Sequence, residues 1–167
     1  MSTLKIQDKV LVCGAQGMVG RALVKSLQSY GISDLLIPSR KELDATRQDS
    51  VEAYLKQHQP NWVVVAAAKV GGIYANSSYK VDFLYDNVMI AANLIKASYQ
   101  TGVENLLFLG STCIYPKLAP QPIVEESILT SALESTNEAY ALAKIVGLKL
   151  CEYYKQQHGM NYFSAMP

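Results

Sequence analysis

Histidine is scarce in this chain, cysteine comes in an odd number, and charge is thin. His58 and His158 are the two histidines, and Cys13, Cys113 and Cys151 show no C-x-x-C spacing, which argues against a zinc site and against a disulfide framework. The three thiols are expected to be reduced. Lys and Arg number 15 against 14 Asp and Glu, without a long basic run, so the electrostatic footprint of a nucleic-acid binder is missing. No stretch reaches the roughly 18 apolar residues needed to span a bilayer, and Met1 to Lys5 lacks the apolar core of a signal peptide. These absences predict a cytoplasmic chain that binds neither nucleic acid nor membrane. Apolar residues are plentiful, at 50% of the 167, enough for one core and a single domain over residues 1–167.

Apolar runs rich in β-branched residues alternate with stretches of helical period, the pattern of parallel strands joined by crossover helices. It predicts strands near 9–14, 34–38, 61–67, 105–110 and 161–166, and helices near 18–30, 50–58, 81–101 and 137–158. The fold class is therefore α/β, a doubly wound parallel sheet. Near-continuous apolarity in Trp62-Val63-Val64-Val65 and Leu106-Leu107-Phe108-Leu109 suits central strands covered on both faces. In the third helix, Leu84, Val88, Ala91, Ile95 and Tyr99 recur at spacings of three and four, predicting one buried stripe. Residues 112–136, with Pro116, Pro120 and Pro122, read as a long loop of the functional or mobile kind.

The first strand runs into Gly14-Ala15-Gln16-Gly17-Met18-Val19-Gly20, and a helical pattern follows at once. Gly14 permits a tight turn, Gly17 lets a pyrophosphate approach the backbone, and Gly20 allows the helix to pack close to the sheet. The N–H groups at that helix N-terminus are offered to the anion. Alone, a glycine triplet also describes a turn with no ligand; opening the first strand of an alternating α/β pattern, it predicts dinucleotide binding. Twenty residues on, where an acidic side chain would grip the ribose hydroxyls of NAD, stands Ser39-Arg40-Lys41. A cation there favours the 2′-phosphate of NADP(H), although Arg40 also reads as a solvated loop charge. Asp44 is placed for the adenine edge or is an ordinary turn acid.

The fourth strand ends in Gly110-Ser111-Thr112-Cys113, and ligands sit at the carboxyl ends of such strands, so Ser111 is expected to face the cofactor crevice. Tyr140 and Lys144 stand four residues apart on the last helix. That spacing shares a helical face, and a neighbouring ammonium lowers the pKa of a phenol that otherwise ionises near ~10. By itself the spacing also describes two surface residues.

Ser111, Tyr140 and Lys144, in this order and on these element types, resemble the serine, tyrosine and lysine set of the short-chain dehydrogenase/reductase superfamily, in its extended, sugar-nucleotide-modifying branch. Ala66-Ala67-Ala68-Lys69-Val70-Gly71-Gly72-Ile73, Leu107-Phe108-Leu109-Gly110-Ser111, Cys113-Ile114-Tyr115-Pro116-Lys117-Leu118-Ala119 and Thr136-Asn137-Glu138 narrow the resemblance to the GDP-L-fucose synthase family. The resemblance implies a Rossmann-type NAD(P)-binding domain, NADP(H) as cofactor, GDP-4-keto-6-deoxy-D-mannose as substrate, and a homodimer formed through the helices near 81–101 and 137–158. The implied reaction inverts C3 and C5 of the sugar and then reduces its 4-keto group. In it Ser111 and Tyr140 would hydrogen-bond the C4 oxygen, Lys144 would lower the pKa of Tyr140 and bond the nicotinamide ribose, and Cys113 would be the base. Ala67, Ala68 and Lys69 would approach the cofactor. Asn87 would fix the ribose or the catalytic loop. Tyr115 and Asn137 line the sugar site or pack; Cys13 and Cys151 read as packing residues and His58 as a surface residue.

The family pattern also differs from these residues. It continues past Pro167 into further strands and a smaller domain that holds GDP, and it places there the histidine that partners the epimerisation. His158 lies about 21 Å along its helix from Lys144 at 1.5 Å per residue and cannot substitute. Gln16 stands where many members carry a basic side chain. The 167 residues are thus expected to be the cofactor half, with little or no turnover alone, or a non-catalytic dinucleotide-binding or interaction module of the same descent.

Overall fold

The computed structural model describes residues 3–167. Its sheet has five parallel strands in the order β2-β1-β3-β4-β5: β1 is Val10–Cys13, β2 Leu35–Leu36, β3 Trp62–Val65, β4 Asn105–Leu109 and β5 Asn161–Ala165. The crossovers run through α1 (Met18–Ser29), α2 (Gln48–His58), α4 (Lys80–Gln100) and α5 (Glu138–His158). All residues of β1 and β3 are buried, as continuous apolarity requires of strands covered on both faces. Val10, Val12, Trp62 and Val64 pack with Leu23, Val24 and Leu27 of α1. On the other face Leu11, Cys13, Val63, Val65, Leu106 and Phe108 join the inner sides of α2, α4 and α5. The order reverses between β1 and β3, and that switch point opens the crevice beyond their carboxyl ends.

Several elements differ from the sequence expectation. β2 is two residues long rather than five, because Pro38 offers no N–H to a ladder. α3 (Ile73–Ser78) falls outside the expected helices; Asn76 Nδ2 donates to the carbonyl oxygens of Gly71 and Gly72 (2.7 and 3.2 Å) and secures the turn that opens it. Within α4, Ala91 and Ile95 are buried as expected and Val88 is half-buried, whereas Leu84 and Tyr99 are exposed; the buried side also takes in Phe83, Asn87, Ile90, Leu94 and Ala97. A periodicity counted on apolar side chains alone passes over Asn87. Residues 112–136 form the expected long loop, with short 3₁₀ turns at Thr112–Ile114 and Glu125–Ser127 and a Lys117–Glu134 ion pair of 2.9 Å. Cys13 and Cys151 are packing residues whose thiols burial pushes up to about 12. His58 is half-buried and its ring lies 4.2 Å from that of Tyr54.

Candidate active site at the carboxyl ends of β1, β3 and β4

Gly14 takes φ +90°, and a Cβ there would lie 2.5 Å from the amide nitrogen of Ala67. The turn after β1 is thereby locked against the segment after β3. Gly20 is as constrained, since its Cβ would fall 2.1 Å from the carbonyl oxygen of Gly14. Gly17 is different: its Cβ would meet only that oxygen, at 3.4 Å. Protein packing does not demand glycine at position 17, so the space beside it suits a ligand that comes close to backbone. Gly17 is the N-cap of α1 and no side chain caps that end, which leaves first-turn N–H groups for an anion.

Beyond this turn lies a crevice of about 660 Å³, within the range of small-molecule sites. Gly14, Gln16, Gly17, Met18, Val19 and Gly20 line it from the turn, Ala67, Ala68 and Lys69 from the segment after β3, and Arg40 and Asp44 from the segment after β2. Volume, glycine cradle and a cation in the lining fit a dinucleotide. Asp44 Oδ1 is taken by Thr46, through N–H at 3.1 Å and the hydroxyl at 2.7 Å, which with Arg40 nearby holds its carboxyl below the usual range. No motif announces the acidic pair Asp82 and Asp86 on α4, which takes the Lys69 ammonium at 3.4 and 2.8 Å.

Asn87 braces the segment after β3. Its Oδ1 accepts the N–H of Lys69 at 2.7 Å, and its Nδ2 donates to the carbonyls of Lys69 (3.0 Å) and Phe83 (2.7 Å). Both amide donors are used, and Oδ1, with a second lone pair, is the atom Asn87 has left to offer a ribose hydroxyl. The segment it fixes follows β3, not the catalytic loop after β4.

At the end of β4, Ser111, Cys113, Tyr140 and Lys144 come together. The Ser111 side chain is near enough to the Cys113 thiol to lower it, and Cys113 is close enough to Lys144 and Tyr140 to shift both electrostatically. Lys144 is buried, donates from Nζ to the Leu109 carbonyl at 2.7 Å, and sits 4.9 Å from the Phe108 ring centre and 5.6 Å from that of Tyr140. Here an expectation fails. Burial pushes the Tyr140 phenol up to about 12, the neighbouring Cys113 adding to it, and the same desolvation brings Lys144 down to about 8. Without a bound ligand the ammonium serves a backbone carbonyl, and desolvation outweighs any help it gives the phenol. Burial also raises the Cys113 thiol, against the opposing pull of Ser111 and Lys144. Tyr115 and Asn137 are half-buried nearby in sequence, and Asn137 Oδ1 is buried without a protein partner. Among the described residues no His, Cys, Asp and Glu cluster could hold a metal ion, and no helix is long and apolar enough to cross a membrane.

Residues 10–167 match the NAD dependent epimerase/dehydratase family. The chain is 52% identical over 159 residues to GDP-L-fucose synthase 1 of Arabidopsis thaliana, covering 95% of this chain and 49% of that protein. It is 47% identical over 161 residues to GDP-L-fucose synthase of Escherichia coli (strain K12), covering 96% and 50%. Among solved structures, MlghC, a GDP-mannoheptose C4 reductase from Campylobacter jejuni with NADP bound, superposes with a TM-score of 0.94 at 34% identity, over 98% of this chain and 52% of that one. A GDP-L-fucose synthetase from Naegleria fowleri bound to NADP gives 0.85 at 28%, over 99% and 54%. The chain spans about half the length of the curated relatives it matches.

Proposed function

The chain belongs to the NAD dependent epimerase/dehydratase family, and from that premise we propose that it is the NADP(H)-binding, catalytic half of a GDP-L-fucose synthase. The reaction is conversion of GDP-4-keto-6-deoxy-D-mannose by 3,5-epimerisation and reduction of the 4-keto group. The observation that carries this reading is the gathering of Ser111, Cys113, Tyr140 and Lys144 at the carboxyl end of β4, on the same edge of the parallel sheet as the crevice-lining turns after β1 and β3. The two NADP-bound neighbours and the synthases at 47–52% identity support it.

NADPH, when bound, supplies the hydride. Gly14, Gly17 and Gly20 would receive its pyrophosphate, Arg40 its 2′-phosphate and Ala67, Ala68 and Lys69 its other flank. Ser111 and Tyr140 hydrogen-bond the C4 oxygen, so charge developing there in enolate or alkoxide is held by two donors. Tyr140 keeps its proton at neutral pH and is therefore ready as the acid that completes reduction. Cys113 takes the C3 and C5 protons; burial raises its thiol, and Ser111 and Lys144 oppose that rise. Lys144 has three N–H donors and spends one on Leu109, which leaves two to hold the ribose and to act on Tyr140. Val81, Leu84 and Tyr85 on α4 and Leu142, Val146 and Tyr153 on α5 are exposed; a second copy of the chain would cover them as a homodimer.

NADPH titrated into the purified 167-residue chain is expected to bind, with little or no GDP-fucose formed from the keto sugar. Failure to bind NADPH overturns the reading. Robust conversion would instead show that these residues suffice for the whole reaction.

A further inference from the structure

We infer that Arg21 is a second cation for the 2′-phosphate of the dinucleotide, reaching it from the outer side of the turn that carries Gln16; this rests on NADP(H) being the cofactor. Behind that turn lies a second open cavity of about 660 Å³, lined by Ala15, Gln16, Arg21, Lys25 and Ile37 among others. It shares Ala15 and Gln16 with the crevice that holds Arg40, so one turn separates the two arginines. Arg21 Nη1 donates to the carbonyl oxygen of Gln16 at 2.8 Å, which anchors a flexible side chain at the partition. The Gln16 side chain brings no charge there.

The surrounding charge is uncompensated. Arg21 stands at the end of the first turn of α1, near its positive end, with Lys25 as a like-charged i, i+4 neighbour in a helix without an acidic residue, and such placements destabilise a helix. Among the described residues neither makes an ion pair. A phosphate monoester at the Gln16 partition relieves both repulsions, and a planar guanidinium offers it paired donors that a lysine cannot.

The test compares dissociation constants of NADP+ and NAD+ for the wild-type chain, Arg21→Gln and Arg21→Lys. The glutamine variant should weaken NADP+ about tenfold, the loss of one charge-assisted contact, while NAD+ changes less than about twofold. Its NADP+ binding should also depend less on salt, and the lysine variant should recover part of the loss. Equal weakening of both dinucleotides would mean that Arg21 only braces the turn through Gln16, and unchanged NADP+ binding would mean that it does nothing for the phosphate; either result overturns the inference. A wild-type chain that binds NAD+ as well as NADP+, or neither, removes the cofactor reading itself.

Discussion

The Lys144 ammonium donates to the Leu109 carbonyl oxygen at 2.7 Å while its side chain is all but buried. Helix α5 is thereby pinned to the end of β4, where Ser111 follows. Burial lowers this ammonium from 10.5 to about 8, so between those values the unfolded chain binds the extra proton. Stability then rises with pH across that window, and the penalty is complete below it. Against Lys144→Met, in which the other alkaline titrations largely cancel, wild type should gain about 3 kcal/mol between pH 8 and 10.5, at ~1.36 kcal/mol per pH unit. Urea denaturation of both proteins at each end of the window checks it, and a flat difference defeats the account.

Tyr140 titrates in the opposite sense. Its folded-state value of about 12 lies above the ordinary 10, so the folded chain keeps a proton that the unfolded chain releases, and alkali destabilises through this residue above pH 10. The ultraviolet absorbance of tyrosinate, recorded for wild type and Tyr140→Phe without dinucleotide, should differ only towards pH 12. A difference appearing near neutrality would restore the lowered phenol that the i, i+4 spacing suggested.

The separate duties of two glycines are also measurable. Gly20→Ala drives a Cβ to 2.1 Å from the Gly14 oxygen, backbone against backbone, and should cost roughly 3 kcal/mol or more. Gly17→Ala meets protein only at 3.4 Å and should cost about 1 kcal/mol or less, as at an N-cap. Yet Gly17→Ala should weaken NADPH binding at least ~tenfold, about 1.4 kcal/mol. Thermal melting beside a binding titration separates the two; equal loss of stability in both variants would contradict this division.

What could be read from the residues and what could not divides along physical lines. The strand pattern of Trp62–Val65, the glycine turn and the helix carrying Tyr140 and Lys144 are local, and each appears where periodicity and turn chemistry put it. The acceptor for Lys144 lies 35 residues away and the partners of Asn87 up to 18, and no spacing rule reaches that far. The direction of the Tyr140 shift was misread for a related reason: an i, i+4 cation is visible in sequence, whereas desolvation depends on what the fold packs around the ring. α3 shows no apolar period in the residues because its support is a polar side chain, Asn76, bonded to the carbonyls of Gly71 and Gly72.

Asn87 offers the sharpest test of the wall after β3. Its amide copies the donor and acceptor of a neighbouring strand, meeting both the N–H and the C=O of Lys69. Asn87→Ala leaves those two backbone groups without partners, costing about 1–3 kcal/mol, and hydrogen exchange at the Lys69 amide should quicken. Asn87→Asp keeps an acceptor for that N–H but turns a charged oxygen towards the carbonyls of Lys69 and Phe83, where Nδ2 now donates at 3.0 and 2.7 Å. A buried carboxylate facing two acceptors is worse than a gap, so at neutral pH the aspartate variant should be the less stable. Its folded-state pKa is then raised, the folded chain holds the proton longer, and its deficit relative to alanine should shrink as pH falls, because a protonated carboxyl can donate. Denaturation midpoints of both variants at neutral and mildly acid pH decide the matter, and an aspartate variant as stable as the alanine one at neutral pH rules this geometry out.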